Sequence, residues 1–419
     1  MRLYYRIVRD LWKRDLRLDN DNVYAAFGIR RRINAAGTLT RLGGALMVPH
    51  VTAAMAAAAT QSVDIAELQA AASRTIARIT GAEAGLVSTG AAAALTLAAA
   101  ACITRWDIGK MAALPHAEGF AHEILIPRTH RTGYAHALSA SGARLVDIGH
   151  NDRATGAGVR GLEPWEIETA ITPGTVAFAF SASPENIADL PIVVAVCKPR
   201  DLPIIVDAAA QLPPKLNLRR FIESGADLVA FSGGKAIGGP QATGILAGRR
   251  DLIGAALVQQ LDMDVAPATW APPDLIDRAA LKGIPHHGLG RGFKVGKEEI
   301  VGVLAALERF AVTDDAAANA RLEERLTRIE ARLGGLPGIH TRLLPASETG
   351  RVPHLHLVID PAVARVDAMG LSKRLQNADV PVHLSERLAQ QGILIVDLQV
   401  PPPEDDAAVA ESVRRALTG

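Results

Sequence analysis

Three stretches carry side chains whose types and order suit one chemistry. Asp227-Leu228-Val229-Ala230-Phe231-Ser232-Gly233-Gly234-Lys235 is an apolar run that ends in Ser-Gly-Gly-Lys. The glycines let the chain turn sharply, so the Lys235 amine can fold back toward the end of the run. A lysine placed this way suits a Schiff base, and the Ser232 hydroxyl beside it suits a phosphate oxygen. Pro203-Ile204-Ile205-Val206-Asp207 ends a second apolar run in a carboxylate. A buried carboxylate is costly unless paired, and a protonated pyridine nitrogen would pair it. Leu86-Val87-Ser88-Thr89-Gly90-Ala91-Ala92 leads a third run into a small-residue turn and a helix. Free backbone N–H groups at a helix start, with hydroxyls beside them, form an anion site. Phosphate turn, strand-end Asp and Gly-turn Lys, in that order, point to pyridoxal 5′-phosphate carried on Lys235. Singly, each stretch has a plainer reading: a tight turn packed with alanine, an N-cap at Asp207, and a surface loop lysine at 235.

Other polar residues complete no second site. No G-x-G-x-x-G occurs early in the chain, and no P-loop pattern occurs. His286-His287 and the alternating His354 and His356 could supply metal ligands, but no Cys or carboxylate joins them at metal spacing, so surface or interface histidines and no metal are expected. Arg291, Lys294 and Lys297 could hold a substrate carboxylate or phosphate, or form a solvated basic face. Cys102 and Cys197, the two cysteines, sit in apolar contexts and read as buried thiols.

The elements that must position these residues follow from apolar periodicity. Short apolar runs at 85–87, 123–126, 144–148, 175–180, 203–206, 226–231 and 243–247 alternate with helical stretches. That pattern predicts an α/β fold with a mostly parallel seven-stranded sheet covered on both faces. Ligands bind at the carboxyl edge of such a sheet, where all three stretches end. Residues 52–80 read as helices, with Ser62 or Asp64 as cap and Gly81 as stop. Long helices follow at 296–335. Strands at 354–359 and 392–398 and a helix near 406–417 make a smaller α+β domain. The expected division is an N-terminal helical arm at 1–33, a large domain at 34–290, and a small domain with its linking helix at 291–419. Leu3, Ile7, Leu11 and Leu16 form the stripe of the arm helix.

Composition bounds the partners. The chain has 419 residues, 49% of them hydrophobic, and Lys plus Arg (45) nearly cancels Asp plus Glu (44). A net charge of +1 advertises neither nucleic acid nor a membrane surface. The N-terminus lacks the apolar core of a signal peptide, and no apolar stretch is long enough to span a bilayer. A cytoplasmic protein with a small-molecule substrate is expected.

Ile33-Asn34-Ala35-Ala36-Gly37-Thr38, Ser88-Thr89-Gly90-Ala91-Ala92, Val206-Asp207-Ala208-Ala209 and Phe231-Ser232-Gly233-Gly234-Lys235-Ala236-Ile237-Gly238-Gly239-Pro240-Gln241 together resemble fold-type I pyridoxal-phosphate enzymes of the selenocysteine synthase-like group. That group includes seryl-tRNA selenium transferase and D-glucosaminate-6-phosphate ammonia-lyase. The segment 290–299 resembles the ammonia-lyase side. The resemblance spans roughly residues 30–310 and is most specific at the lysine segment. It implies that Lys235 forms the Schiff base and that Asp207 meets the pyridine nitrogen. It implies that Ser88, Thr89, Gly90 and Ser232 bind the phosphate. His130 is the candidate for stacking on the ring, against an ordinary loop histidine. Gln211 is a candidate contact to the cofactor 3′-oxygen or to substrate. Thr38, Gln61 and Arg291 are candidate substrate contacts.

The resemblance further implies a lyase that eliminates across the α and β carbons of a β-hydroxylated amino acid, such as an amino sugar acid, to give a 2-keto acid and ammonia. Lys235 would be the base for the α proton. A racemase or an aldolase would use the same residues. Selenium transfer to tRNA fits less well, because the charge is near neutral and the Asn34–Thr38 motif starts too early for the transferase N-terminal domain. A non-catalytic cofactor-binding protein is a further alternative. Neighbouring subunits commonly complete such sites, so a homodimer or higher even homo-oligomer is expected.

Overall fold

A computed structural model describes residues 23–150 and 161–418. The arm helix expected on Leu3, Ile7, Leu11 and Leu16 lies outside the described residues. The chain forms two compact units, Thr38–Ala318 and Met1–Gly37 with Asn319–Gly419. This division differs from the expected one at both boundaries. Residues 34–37 group with the C-terminal part because the strand at Ile33–Ala35 pairs in parallel with Val382–Leu384. Residues 291–318 group with the large unit because the helix Lys297–Ala311 buries Ile300, Val303, Ala306, Leu307 and Phe310 in its core.

The strands of the described residues, numbered along the chain, are β1 (Ile33–Ala35), β2 (Ala84–Ser88), β3 (Glu123–Pro127), β4 (Arg144–Ile148), β5 (Thr175–Ser181), β6 (Ile204–Asp207), β7 (Leu228–Ser232), β8 (Gly244–Gly248), β9 (Ile339–Leu344), β10 (His354–Ile359), β11 (Val382–Leu384) and β12 (Ile393–Val396). The helices used below are α1 (Pro49–Ala59), α2 (Ile65–Thr80), α3 (Gly90–Thr104), α4 (Arg250–Gln260), α5 (Lys297–Ala311), α6 (Asp315–Leu333), α7 (Ala368–Asn377) and α8 (Asp406–Thr418).

The large unit is built on a seven-stranded sheet of order β2-β8-β7-β6-β5-β3-β4. All its pairings are parallel except those of β8, which runs antiparallel to β2 and β7. β2 and β8 are buried from end to end, and β7 and β6 at every residue but their last, because helices cover both faces. One face carries α3 and α4, whose alanines let them lie close to the sheet. The other carries Val51, Ile76 and Ile79 of α1 and α2 with the apolar stripe of α5. Sequence punctuation sets the helix ends. Asp64 caps α2 by accepting from the Glu67 N–H at 3.0 Å, and Gly81 ends it at φ 74°.

The small unit has an antiparallel sheet of order β12-β10-β9 and the β1–β11 pair. Leu326, Ile329, Leu355, Leu357, Leu371 and Val409 form its core. Arg325 braces it by gripping Asp406, with Nη2 2.7 Å from Oδ1 and Nε 3.0 Å from Oδ2. Among the described residues, no helix is long and apolar enough to cross a membrane.

Candidate functional site

Antiparallel β8 lies between β2 and β7, so β2, β7, β6, β5 and β3 all point the same way. Their carboxyl ends share one edge, and the register fixes what stands along it. Ser88 is opposite Gly244, and Gly244 is opposite Ser232. Asp207 is opposite Ala230 on one side and Ser181 on the other. His130 follows β3 in a short helical turn. The three stretches singled out in the sequence therefore meet at one sheet edge.

Lys235 lies half-buried in the turn that joins β7 to β8. The turn is closed by Gly233 N–H to Thr243 O at 2.8 Å and Gly239 N–H to Gly233 O at 2.9 Å. A Cβ on Gly233 would run into Thr243 Oγ1, and one on Gly234 into the Gln241 backbone. These glycines are a packing requirement of the turn that aims Lys235. The lysine charge acts on Asp207, the last residue of β6. Asp207 Oδ1 accepts from the Ala209 N–H at 3.0 Å. Burial pushes its carboxyl above the usual range, while the Ala209 N–H and the Lys235 charge pull it back.

At the β2 end, Ser88 is fully buried and its Oγ donates to the Gly90 carbonyl at 3.0 Å. Gly90 has φ 83°, and no side chain caps α3, so its first N–H groups remain available to an anion. Gly244 packs directly against this helix start, where a Cβ would strike the Gly90 carbonyl and the Ala91 nitrogen. Thr89 uses its hydroxyl to donate to the Phe293 carbonyl, which also accepts from Gln260 Nε2 at 3.0 Å. Gln260 in turn accepts from Gln69, whose amide clasps both backbone groups of Val87. Ser232 Oγ has no hydrogen-bond partner among the described residues.

His130 is 3% exposed, and its ring meets Phe180 edge-on at 4.6 Å between centroids. Burial holds its pKa down to about 4. Its Nε2 lies 3.0 Å from Asn186 Nδ2. A small cleft is lined by His130, Tyr134, Phe180, Ser181, Ile205 and Asp207, among others. Gln211 bridges the loops beyond β5 and β6, donating to the Ala182 carbonyl at 2.7 Å.

The candidate substrate contacts are more scattered. Thr38 opens the loop that delivers Ala45, whose N–H donates to Gly234 O at 3.0 Å. Gln61 is exposed past the end of α1 and does not line the cavity. Arg291 does not line it either, and its guanidinium is paired with Asp262. Asp262 also lies 3.3 Å from His287, with Asp264 beside them. The structure thus brings two carboxylates to His287 that chain spacing did not reveal, in an exposed group already holding a guanidinium. In the small unit His354 lies 3.5 Å from Asp397 and its ring stacks on His356. Asn186 and the Gln69–Gln260 pair were not foreseen. Each meets its partner across the fold, with no local sequence signal.

The family model for L-seryl-tRNA selenium transferase matches residues 204–264, which hold both Asp207 and Lys235. D-Glucosaminate-6-phosphate ammonia lyase from Salmonella typhimurium is 28% identical over 385 residues, covering 90% of this chain and 92% of the relative. A 5′-C-glycyluridine monooxygenase-decarboxylase from a Streptomyces species is also 28% identical, over 404 residues, 94% of this chain and 92% of that one. A solved structure of D-glucosaminate-6-phosphate ammonia-lyase superposes with a TM-score of 0.78 at 26% identity, covering 95% of this chain and 98% of that one. The lysine turn, the sheet order and these likenesses agree, and this chain is a relative of the ammonia-lyases and selenium transferases of the selenocysteine synthase-like group, on the fold-type I architecture of pyridoxal-phosphate enzymes.

Proposed function

We propose that the chain is a pyridoxal-phosphate-dependent lyase acting at the α carbon of a β-hydroxylated amino acid, with amino sugar acids as the substrate class. It eliminates across the α and β carbons and yields a 2-keto acid and ammonia. The observation that carries this reading is the single carboxyl edge on which Ser88, Gly244, Ser232 and Asp207 stand in register beside the Lys235 turn.

The residues present fit the cofactor. A phosphate needs donors at a place backbone can approach, and the uncapped start of α3 against side-chain-free Gly244 provides it, with Ser88, Thr89, Gly90 and Ser232 nearby. A protonated ring nitrogen needs a carboxylate, and Asp207 sits where burial makes its own charge costly without such a partner. A covalent anchor needs an amine, and Lys235 is the lysine of the glycine turn. His130 presents a flat ring at the same cavity as Asp207, and Gln211 stands beyond β6.

When bound, the cofactor supplies an electron sink for negative charge on the substrate α carbon. The chain supplies the rest. Asp207 keeps the sink charged. The free N–H groups at the α3 start and the Ser232 hydroxyl would hold the phosphate end, and the Ser88 and Thr89 hydroxyls would join them only by releasing the Gly90 and Phe293 carbonyls. Lys235 Nζ would take the proton from the substrate α carbon and would give it to the departing β-hydroxyl, which would leave as water. Charge near neutral supports a small substrate in place of a tRNA.

The test is a screen of D- and L-amino acids and amino sugar acids for ammonia and 2-keto acid release, with α-deuterium exchange in parallel. Release of both products is expected. Exchange without ammonia would make the protein a racemase, and an aldehyde product an aldolase. Absence of any visible cofactor band after incubation with pyridoxal phosphate would overturn the reading altogether. Lys235→Ala should abolish the covalent band and cut turnover by about 1,000-fold or more, within the range of losing a positioned acid–base group.

A further inference from the structure

The loop after β5 holds a side chain whose orientation is fixed at three points. Asn186 Oδ1 accepts from the Ser183 N–H at 2.8 Å. Its Nδ2 donates to the Ser181 carbonyl at 2.8 Å and lies 3.0 Å from His130 Nε2. Turning the amide over would set Oδ1 against the Ser181 carbonyl and Nδ2 against the Ser183 N–H, losing both bonds and opposing like groups. Nδ2 therefore donates toward His130. Nε2 must carry the ring's lone pair, and the ring proton sits on Nδ1.

A proton on Nε2 would oppose N–H to N–H. Among the described residues no charged group hydrogen-bonds to the ring. The polar groups lining its cavity are Thr132, Tyr134, Ser181 and Asp207, and the burial of the ring alone governs its titration. Arg131, next in the chain, is engaged by Asp147 at 2.7 Å. His130 Nδ1 is buried and has no hydrogen-bond partner among the described residues. A buried donor without an acceptor is what a site prepared for a ligand oxygen leaves behind.

We propose that Asn186 is a positioning residue that locks His130 as the neutral tautomer protonated at Nδ1, so that the imidazole offers a ligand one donor and a flat face but no acid. The role toward a ligand rests on the pyridoxal-phosphate reading of the site, whereas the tautomer itself does not. Proton transfer at the substrate then falls to Lys235, and His130 stays out of it.

The experiment is ¹⁵N NMR of the cofactor-free chain labelled at histidine, with the His130 signals assigned by their loss in His130→Phe. Nδ1 is expected to be of the protonated type and Nε2 of the lone-pair type, unchanged across the range where an ordinary histidine titrates. Asn186→Asp puts an acceptor where the donor was, so a proton should appear on Nε2 and titration should move up toward the ordinary range, with circular dichroism unchanged. A parent ring protonated at Nε2 overturns the proposal. So does a folded Asn186→Asp that keeps the parent pattern. If Asn186→Asp does not fold, the parent tautomer decides alone. In the loaded protein, Asn186→Asp should give the visible band a pH dependence that the parent lacks. A parent that shows no band refutes the cofactor reading and leaves the tautomer result standing.

Discussion

Burying two titratable groups at the sheet edge should cost the cofactor-free protein stability, with opposite signs along the pH axis. His130 has a folded pKa of about 4 against an ordinary 6.5, so between those values the unfolded chain binds the extra proton. Stability is whole above pH 6.5 and is lost as pH falls toward 4, by on the order of 3 kcal/mol in total at about 1.4 kcal/mol per pH unit. His130→Phe should flatten that part of the curve, measured by denaturant unfolding of parent and variant at each pH. An unchanged difference across the window would show that His130 is not buried neutral. Asp207 works the other way. Its carboxyl is raised by burial, so the penalty is absent in acid and sets in as pH rises through the ordinary carboxylate range. Asp207→Asn should therefore stabilise the cofactor-free chain at neutral pH by about 1 kcal/mol, with no gain in acid. The same variant should lose about 100-fold in turnover, as expected when a preorganised charge is removed. Equal stability of parent and variant at neutral pH would argue that Asp207 is already paired. Lys235 and Asp207 were legible in the sequence because each ends an apolar run, and a strand-end polar residue has few other places to point. Asn186 was not, since its grip on His130 joins residues 56 positions apart.

At the scale of elements, the site depends on how closely β8 approaches the start of α3. Gly244 has no room for a Cβ, which would meet the Gly90 carbonyl and the Ala91 nitrogen. Gly244→Ala must push the helix start away from the sheet. The expected cost is about 1–3 kcal/mol from overpacking, read by denaturant unfolding, together with weaker retention of pyridoxal phosphate on dialysis. Destabilisation with unchanged retention would remove the α3 start from the phosphate site. Most strands of the large sheet were legible because each is a short apolar run bounded by turns, buried with little polar alternation, whereas the edge strand β4 keeps Arg144 and Asp147 exposed and was read from Leu145, Val146 and Ile148. Three strands of the small unit were not. β1 and β11 have three residues each, too few for a period, and β9 carries His340 and Arg342 on its outward face. The compact units divide at 318/319 and not at 290/291 for a related reason. The amphipathic stripe of α5 shows that the helix packs on something, but a stripe does not say on which core.

At the scale of the molecule, the large unit leaves an apolar surface that its own core does not use. Within α1 only Val51 is buried, and Leu46, Met47, Val63 and Ile65 around it are 62%, 36%, 46% and 41% exposed. Contiguous exposed apolar surface marks an interaction site, and these side chains are the candidates for one. The same stretch leads from Thr38 past the Ala45 contact with the lysine turn, so a second copy seated there would lie next to the site. The protein should therefore scatter light as an even multiple of 44.1 kDa. Leu46→Asp combined with Ile65→Asp places two charges on that surface, whose burial unpaired no interface tolerates. Mass and turnover should fall together in this variant while its circular dichroism stays that of the parent. A parent that is monomeric at full turnover would refute the shared site, and a variant that keeps the parent mass would move the interface elsewhere on the chain.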